Sequence, residues 1–309
     1  MDDSKYNQFI TANTIALDID TIREEHVVPV HVKDNEQTIS HTEFIESTCA
    51  IAREVFGECT DPVIRVSHPI KGRVPEARNK PASELLPEET TLYYERMAWM
   101  VNFPGISAKV GDEVLDLAIG GVKAFNLDNL NTTKDSFEHF KLFVGFKNQV
   151  CTNLCISTTG FQDAVKVQSI DHLKVTAKDL FRQFHSEGGR NTINEFNQLR
   201  QRHLTEKQFA QVLGRVKLFN AMNKTQRSGI PEIGLTDNQL NTVAVDYFND
   251  KSHARNDNGD ISLWNVYNLF TGANKSSYID KFLHRNILAF EGVNHLSKAV
   301  TDGDSWYLN

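Results

Sequence analysis

The chain has 309 residues, of which 40% are hydrophobic and 24% are charged, and its net charge at pH 7 is −7. This composition is typical of a folded globular protein and excludes a wholly disordered one. No stretch approaches the roughly 18 consecutive apolar residues that cross a membrane, and the acidic start lacks the apolar segment of a signal peptide. Since the chain also has only four cysteines, we expect a cytoplasmic protein with reduced thiols and no membrane association.

Residues 1–37 are acidic and weakly periodic, and they predict an N-terminal arm. Their one strand-like stretch, residues 27–32, contains Pro29, which favours an edge strand or an extended segment. Directly after the arm, Ser40-His-Thr-Glu43 has the pattern of a capping box. Apolar residues follow at helical spacing as far as Phe56, and Gly57 is a typical stop signal. The sequence therefore predicts one helix ahead of the sheet.

Between about residues 62 and 168 the pattern changes to short alternating stretches separated by turns. Gly111-Asp112 lies between two such stretches, as in a β-hairpin. Gly120-Gly121 indicates either a bulge or a close approach of two backbones. We expect a mostly antiparallel sheet whose strands include residues 63–66, 92–101, 140–146 and 149–158.

From about residue 170 the hydrophobic period returns to 3.6 residues, which predicts helices. Predicted helices begin at Thr205, at Thr236 or Asp237, at Ser262 and at Tyr278, and the last two end near Gly272 and Phe290. The predicted fold class is α+β, with one helix, an antiparallel sheet at about residues 62–168 and a helical C-terminal half. The predicted divisions are an acidic arm at 1–37, a helix-plus-sheet domain at 38–170, and a helical region at 171–309 packed on the sheet.

Residues 141–160 place two cysteines, two asparagines and two lysines within a pattern of buried strands. Buried polar groups need hydrogen-bond partners, so we expect Asn148 and Asn153 to fix the local backbone. Asn265 and Asn268, in the helix predicted from Ser262, are assigned the same structural role. Cys151 and Cys155 would lie about 13 Å apart on one strand, too far to share a metal ion, so no metal site is expected.

The net charge is unevenly distributed along the chain. Residues 1–60 carry −8, residues 61–140 carry −3, residues 141–230 carry +8 and residues 231–309 carry −4. A basic segment within an acidic protein favours contact with phosphates, while lysine-rich outer faces of helices would give the same counts. Both interpretations remain open from the sequence.

A second group of cations lies in the loop-rich stretch from Arg65 to Lys80. Arginine and lysine beside a sheet suit a phosphate backbone, although a solvated loop has the same composition. The aromatic residues of the predicted strand at 92–101 either stack on nucleobases or pack in the core. Lys123 is a further candidate contact, because the preceding Gly120-Gly121 allows a ligand to approach the backbone closely.

Several of these segments carry a resemblance to a known family. They are residues 141–160, residues 64–73 with Lys80-Pro81-Ala82, and residues 263–277. The chain resembles a functionally uncharacterised Bacteroidetes family found on conjugative and other mobile elements. More distantly, Val150-Cys-Thr-Asn153 and Trp264-Asn-Val-Tyr-Asn268 are similar to phage/plasmid-like proteins of unknown function. The resemblance implies an intracellular prokaryotic protein associated with mobile DNA, and it supplies no catalytic residues.

We therefore expect a non-catalytic nucleic-acid-associated protein of a mobile genetic element, which binds or anneals single-stranded DNA, with no cofactor. A homo-oligomer is also compatible with the sequence, since Trp264 and Tyr267 suit a dimer face. The expected nucleic-acid contacts are Arg65, His68, Lys71, Arg73, Lys123, Lys141 and Lys147.

Two other functions remain open from the sequence. An enzyme acting on nucleotides or nucleic acid would require five side chains to converge in one pocket. These side chains are Arg65, His68, Glu95, Arg96 and Lys123. A factor that binds a host protein and blocks host defence would instead use the acidic first 60 residues as a mimic of nucleic acid.

Overall fold

The computed structural model describes residues 8–27, 38–127, 137–303 and 305–308. The predicted strand-like stretch at 27–32 lies outside the described residues, apart from Val27. The elements of the N-terminal half are β1 (Ile15–Leu17), α1 (Ile19–Glu25), α2 (His41–Phe56), β2 (Val63–Val66), β3 (Pro69–Arg73), β4 (Thr90–Tyr94), β5 (Arg96–Val110), β6 (Glu113–Ala124), β7 (Glu138–Asn148), β8 (Leu154–Cys155) and β9 (Phe161–Val167).

Helix α2 confirms the prediction made from the capping box. The Glu43 N–H donates to Ser40 Oγ at 3.1 Å, and the Ser40 N–H donates to Glu43 Oε2 at 2.8 Å. The helix ends at Gly57, whose φ of +90° lies in the region that glycine enters without a steric penalty.

The main sheet is antiparallel throughout, with the strand order β1-β2-β5-β6-β7-β8 and β9 also paired with β7. Strands β5 and β6 form a long hairpin whose turn is Gly111-Asp112, as the sequence predicts. Strands β3 and β4 pair with each other outside the main sheet and form a separate hairpin, the β3–β4 hairpin. Its strands are joined to the main sheet through the short β2–β3 and β4–β5 connections.

Gly120-Gly121 marks a close approach of backbones and not a bulge. Both residues continue the regular pairing of β6 with β5 and β7. A Cβ atom on Gly120 would lie 2.1 Å from the Trp99 carbonyl oxygen, and one on Gly121 would lie 2.6 Å from the Phe44 ring. The missing side chain of Gly121 therefore lets Phe44 of α2 pack directly on the sheet, while Gly120 leaves room for the Phe143 ring. The irregular register in this hairpin lies instead between Phe103 and Ser107.

One of the predicted strands is divided in two, and another is shorter than expected. The stretch at 92–101 is interrupted at Glu95, where the chain passes from the β3–β4 hairpin into the main sheet. The stretch at 149–158 begins as a turn, in which the Thr152 N–H donates to the Asn148 carbonyl at 3.0 Å. Thr152 has a φ of +56°, and only the two residues of β8 pair with the sheet.

The C-terminal half is helical, as predicted. Its elements are α3 (Ile170–Gln183), a π-helical turn (Phe184–Gly188), α4 (Gly189–Gln201), β10 (His203–Leu204), α5 (Glu206–Ala221), α6 (Asp237–Asn249), β11 (Ile261–Ser262), α7 (Leu263–Asn274) and α8 (Ile279–Asp302). Capping boxes begin α5 and α6, at Thr205 and Thr236. Helix α8 is twelve residues longer than the predicted end at Phe290, because its buried face continues to Ala299.

The antiparallel sheet followed by a helical C-terminal half makes the fold an α+β fold, and the sheet is covered on both faces. Alternation along β5 directs Trp99 toward α2 and Ala98 toward α8. The core cluster on the Trp99 side continues without a break to Trp264 in α7. The cluster on the other side joins the sheet to Phe282 of α8 and to Phe9 near the N-terminus.

Candidate functional site

A pocket of about 270 Å³ lies at the base of the β3–β4 hairpin, and we call it the hairpin-base pocket. It forms where the β2–β3 connection, the β4–β5 connection and the start of α8 meet a segment near the N-terminus. The side chains that matter for its chemistry are Asn13, His68, Glu95, Arg96 and Tyr278.

The two strand connections place these side chains because they are tied together. The Ser67 N–H donates to the Arg96 carbonyl at 2.8 Å, and the Arg96 N–H donates to Ser67 Oγ at 3.2 Å. This pair of hydrogen bonds fixes the point at which the hairpin leaves the sheet. As a result His68 and Glu95, on different connections, line the same pocket.

Arg96 is held by several acceptors around the pocket. Its guanidinium lies 3.1 Å from Glu95 Oε2, 3.5 Å from Asp280 Oδ1 and 3.3 Å from Asn126 Oδ1. About 29% of its side chain is nevertheless exposed. A charged group held by several partners in this way keeps one orientation, which suits recognition of a planar ligand.

The opposite wall is the segment at residues 11–14. His68 Nε2 lies 2.8 Å from Asn13 Oδ1. Arg65 lies behind this wall, where its Nε donates to Thr14 Oγ1 at 2.9 Å and its Nη2 to the Thr14 carbonyl at 3.0 Å. Arg65 is therefore buried, and burial lowers its pKa. It positions the wall of the pocket and is not one of the side chains that line it.

The charged groups at the pocket are one cation and two carboxylates, since Arg96 is opposed by both Glu95 and Asp280. Its mouth carries Tyr278, which is 70% exposed although it is a large aromatic side chain. A pocket of this kind offers hydrogen-bond donors, a carboxylate acceptor and a ring face, but no surplus of positive charge. It therefore suits an uncharged planar ring with polar edges better than it suits a phosphate.

Lys123 lies on the other face of the sheet and does not join this pocket. It is fully buried, with its Nζ 2.6 Å from Glu138 Oε2 and 4.1 Å from the centre of the Phe140 ring. Lys141 is also buried, and its Nζ lies 2.5 Å from Asp163 Oδ1. Contact of either lysine with a phosphate would require its ion pair to break, so burial removes both from the predicted contact surface.

The remaining predicted cations divide between two places. Lys71 and Arg73 are exposed on β3, on the hairpin that rises from the pocket. Lys147 lies near the end of β7, paired in register with Asp116. Burial lowers the pKa of Lys147, while the Asp116 carboxylate acts in the opposite direction. The seven predicted contacts therefore include only His68, Lys71 and Arg73 as exposed side chains at or beside the pocket.

The predicted structural asparagines lie in a polar network at the other end of the sheet. The Asn153 side chain donates to the Asn268 carbonyl at 2.9 Å, and the Asn268 side chain donates to the Trp264 carbonyl at 3.0 Å. Asn265 donates to the Ala254 carbonyl at 3.2 Å. The two motifs around residues 150–153 and 264–268 are thus in direct contact.

Glu113 is the central acceptor of this network and has no distinguishing signal in the sequence. It accepts hydrogen bonds from Asn148 Nδ2, from Trp264 Nε1 at 2.8 Å and from His253 Nε2 at 3.1 Å. Burial acts to raise the pKa of Glu113, but the bonds from His253, Trp264 and Asn148 outweigh it and lower the pKa. Burial likewise acts to lower the pKa of His253, but Asp250 and Glu113 raise it overall.

Lys275 joins the two ends of this region. Its Nζ donates to the Cys151 carbonyl at 2.8 Å and to Thr152 Oγ1 at 3.0 Å. Its own carbonyl accepts hydrogen bonds from the N–H groups of Thr11 and Ala12, at 2.7 and 3.1 Å. The turn after β7 and the wall of the hairpin-base pocket are therefore both attached to Lys275.

The aromatic side chains considered for stacking or for a dimer face are mostly in the core. Trp99, Trp264 and Tyr267 are each at most 1% exposed. The Tyr267 hydroxyl donates to the Ile156 carbonyl at 3.1 Å and accepts from the Ile156 N–H at 3.0 Å. Burial within the chain removes Trp264 and Tyr267 from any dimer face, which corrects that expectation.

Comparison with known proteins identifies a family but no activity. The model of the family described as "Domain of unknown function, B. Theta Gene description (DUF3871)" matches residues 2–308. The chain belongs to this family. Membership confirms the predicted resemblance to an uncharacterised Bacteroidetes family. No curated protein and no solved structure matches the chain.

The described residues contain neither a metal-binding cluster nor a membrane-spanning helix. Within them, no group of three or more His, Cys, Asp or Glu side chains is arranged to hold a metal ion. No helix in the same part of the chain is long and apolar enough to cross a membrane.

Proposed function

We propose that the protein binds single-stranded nucleic acid by seating one nucleobase in the hairpin-base pocket. One observation carries the proposal, namely that His68, Glu95 and Arg96 line one pocket together with the exposed ring of Tyr278. The volume of about 270 Å³ is at the lower end for ligand sites, which suits a single base better than a large ligand.

The chemistry of the pocket matches the edges of a base. The Glu95 carboxylate accepts hydrogen bonds from amino or imino groups, and the Arg96 guanidinium donates to carbonyl oxygens and ring nitrogens. Tyr278 offers a ring face on which a base stacks. A base inside a duplex cannot present its edges and faces to such a pocket, so a single strand is the expected form.

Neighbouring phosphates would lie along the β3–β4 hairpin. Lys71 and Arg73 are exposed there, two and four residues beyond Pro69 at the pocket end of β3. Two phosphate contacts predict a weak dependence on salt, with a slope of log K against log salt of about −1.4. We also propose that the protein is cytoplasmic and acts on a mobile element, as the resemblance implies. The transfer of such elements exposes single-stranded DNA, which is the ligand proposed for the pocket.

Fluorescence anisotropy with a labelled single-stranded oligonucleotide tests the proposal. We expect binding at low salt, and we expect Tyr278→Ala to weaken it by about 5- to 150-fold, the range for loss of one base–aromatic stack. Phe248→Ala is the matched control, because Phe248 is 57% exposed but lies on α6, outside the pocket. The proposal fails if the unaltered protein does not bind at low salt, or if both variants bind equally well.

An enzyme acting on nucleotides or nucleic acid is a second candidate, because His68, Glu95 and Arg96 of its required set meet in one pocket. Lys123 does not meet them, which weighs against it. Incubation of oligonucleotides and nucleoside triphosphates with the protein and with Glu95→Gln tests this candidate. Turnover by the unaltered protein that is lost in Glu95→Gln would support catalysis, and no turnover would leave binding alone. The host-protein alternative stays a prediction, since part of the acidic segment lies outside the described residues.

A further inference from the structure

A second pocket, distinct from the hairpin-base pocket, lies on the opposite side of the β5–β6 hairpin from α8. We propose that it binds a small amphipathic molecule with an apolar body and a carboxylate head. Its volume is about 300 Å³, and we call it the bulge pocket because it lies at the irregular register of β5.

The walls of the bulge pocket are apolar and come from different elements. They include Phe56 at the end of α2, Ile106 and Ala108 of β5, Phe146 of β7, Phe184 of the π-helical turn and Ile193 of α4. Ligand pockets are typically clefts lined by hydrophobic and aromatic side chains. This pocket is open to solvent and mostly apolar, so an apolar group that enters it is removed from water, which favours an apolar occupant.

Two backbone irregularities meet at the bulge pocket. In β5, the register passes from Phe103 opposite Leu117 to Ser107 opposite Asp116, so residues 104–106 have no partner on β6. Ile106, which lines the pocket, belongs to this unpaired stretch. Irregularities of this kind concentrate next to binding and active sites, where they direct a side chain.

The second irregularity is the π-helical turn between α3 and α4. Gly188 and Gly189 lie under the Phe184 ring, and a Cβ atom on either would approach that ring to 3.1 or 3.2 Å. The turn and its glycines thus seat Phe184 as a wall of the pocket. Single π-helical turns within helices are rare and frequent at functional sites.

The rim of the bulge pocket carries one fixed positive charge, the guanidinium of Arg190. Arg190 and the His185 ring line the pocket and are exposed. Within the part of the chain that the structure describes, no carboxylate is ion-paired with Arg190, whereas the nearby Lys178 lies 2.5 Å from Glu54. An unpaired guanidinium beside an apolar space favours a ligand with an anionic head. A water molecule takes up about 30 Å³ in the liquid, so the pocket has room for roughly ten water-sized groups.

Octanoate, with ten non-hydrogen atoms, is the probe for this site, and octan-1-ol is its uncharged counterpart. Isothermal titration calorimetry of the full chain should show saturable octanoate binding with a Kd below ~1 mM. Octan-1-ol should bind about two- to fivefold more weakly, because it lacks the interaction with Arg190. No saturable octanoate binding at up to about ten times this concentration would overturn the proposal.

Two variants locate the binding. Ala108→Phe fills the pocket and should weaken binding of both probes by at least about tenfold. Arg190→Gln should weaken octanoate about two- to fivefold and leave octan-1-ol unchanged. Arg182→Gln is the matched control, because Arg182 is 64% exposed on α3 and does not line the pocket.

The variants test the role of Arg190 and the location of the site separately. Equal octanoate binding by Arg190→Gln and Arg182→Gln would overturn the assignment of the anionic head to Arg190. Unchanged binding by a folded Ala108→Phe, with its fold checked by circular dichroism, would overturn the site itself. If Ala108→Phe does not fold, the Arg190→Gln comparison between the two probes still decides the proposal.

Discussion

Glu113 joins three segments that are far apart in the sequence. Through its two carboxylate oxygens it accepts hydrogen bonds from β7, from the residues before β11 and from α7. A buried donor that loses its acceptor costs about 1–3 kcal/mol, so the cost of removing a shared acceptor falls on several partners at once.

Replacement of Glu113 is therefore expected to destabilise the protein strongly. We predict that Glu113→Ala lowers the free energy of unfolding by about 2–4 kcal/mol, because Asn148, Trp264 and His253 all lose an acceptor. Urea denaturation followed by circular dichroism measures the change. Asp112→Ala, in the adjacent turn position, is the control and should leave the midpoint unchanged, since Asp112 is fully exposed. Equal effects of the two substitutions would contradict the prediction.

The pair His26 and His41 stacks with ring centres 4.3 Å apart, close to the buried Lys123. The Tyr94 N–H donates to His26 Nδ1 at 3.1 Å, and His41 Nε2 lies 2.8 Å from the Tyr94 carbonyl. Burial lowers the pKa of His26 to about 4, and the Lys123 charge adds to this. Burial also lowers the pKa of His41 well below its usual range.

Both histidines make the protein sensitive to acid. As the pH falls, these histidines take up protons near pH 6.5 in the unfolded chain, but only at lower pH in the folded protein. Their contribution to the free energy of unfolding is therefore fully present above pH 6.5 and is lost as the pH falls toward 4. For His26 the loss reaches about 3 kcal/mol. His253 acts in the opposite direction, because its pKa is raised and its contribution is lost as the pH rises.

His26→Asn tests this dependence, since the asparagine oxygen can accept the Tyr94 N–H without titrating. We expect the variant to lose less stability than the unaltered protein between pH 6.5 and 4.5, as measured by urea denaturation at each pH. The exposed His172 on α3 supplies the control, and His172→Asn should reproduce the unaltered pH profile. If His26→Asn also reproduces it, the stacked pair is not the source of acid sensitivity.

At the scale of elements, the sequence predicts the features that depend on neighbouring residues, namely helix starts and tight turns. The capping residues Ser40, Thr205 and Thr236 and the turn at Gly111-Asp112 act within a few residues of themselves, and each was placed correctly. The break at Glu95 depends instead on hydrogen bonds between Ser67 and Arg96, which are 29 residues apart. No local pattern reports such a contact.

The residues of the hairpin-base pocket are likewise predicted only in part from the sequence. The sequence predicts one set of five residues, Arg65, His68, Glu95, Arg96 and Lys123, and three of them, His68, Glu95 and Arg96, line the pocket. Asn13 and Tyr278 complete the pocket from the two ends of the chain. Only the three-dimensional fold brings them there, since each is an ordinary polar or aromatic residue in its own segment.

The Gly120-Gly121 pair supports a prediction about elements in contact. Gly120→Ala should lower the free energy of unfolding by about 1–3 kcal/mol, because the added Cβ would meet the Trp99 backbone and the Phe143 ring. Gly214→Ala is the matched control on α5, where nothing lies within 4 Å of an added Cβ. There the same change should stabilise the protein by about 0.5–1 kcal/mol. Thermal and urea denaturation check both signs, and a neutral Gly120→Ala would contradict the close packing.

At the scale of the whole molecule, one hydrophobic cluster runs from the sheet into the C-terminal helices. It contains Trp99 of β5 and Trp264 of α7, which the predicted division of the chain assigns to different regions. A shared cluster of this kind couples the unfolding of the two regions. We therefore expect one cooperative transition for the helix-plus-sheet domain and the helical region.

Single-tryptophan variants test this coupling. With Trp306→Phe as the common background, Trp264→Phe leaves Trp99 as the fluorophore, and Trp99→Phe leaves Trp264. Within each variant, the fluorescence midpoint in urea should coincide with the midpoint from circular dichroism. A fluorescence transition that precedes the loss of helix in either variant would show that the two regions unfold separately.

Lys275 gives the hairpin-base pocket a connection to a distant thiol. Its carbonyl holds the residues that lead to Asn13, while its ammonium group holds the turn that contains Cys151. The Cys151 residue is partly exposed, and burial raises the pKa of its thiol to about 11, so little of the reactive thiolate is present at neutral pH. Because both hydrogen-bonded groups belong to Lys275, we expect a ligand that stabilises the pocket wall also to slow the alkylation of Cys151, a residue that does not line the pocket.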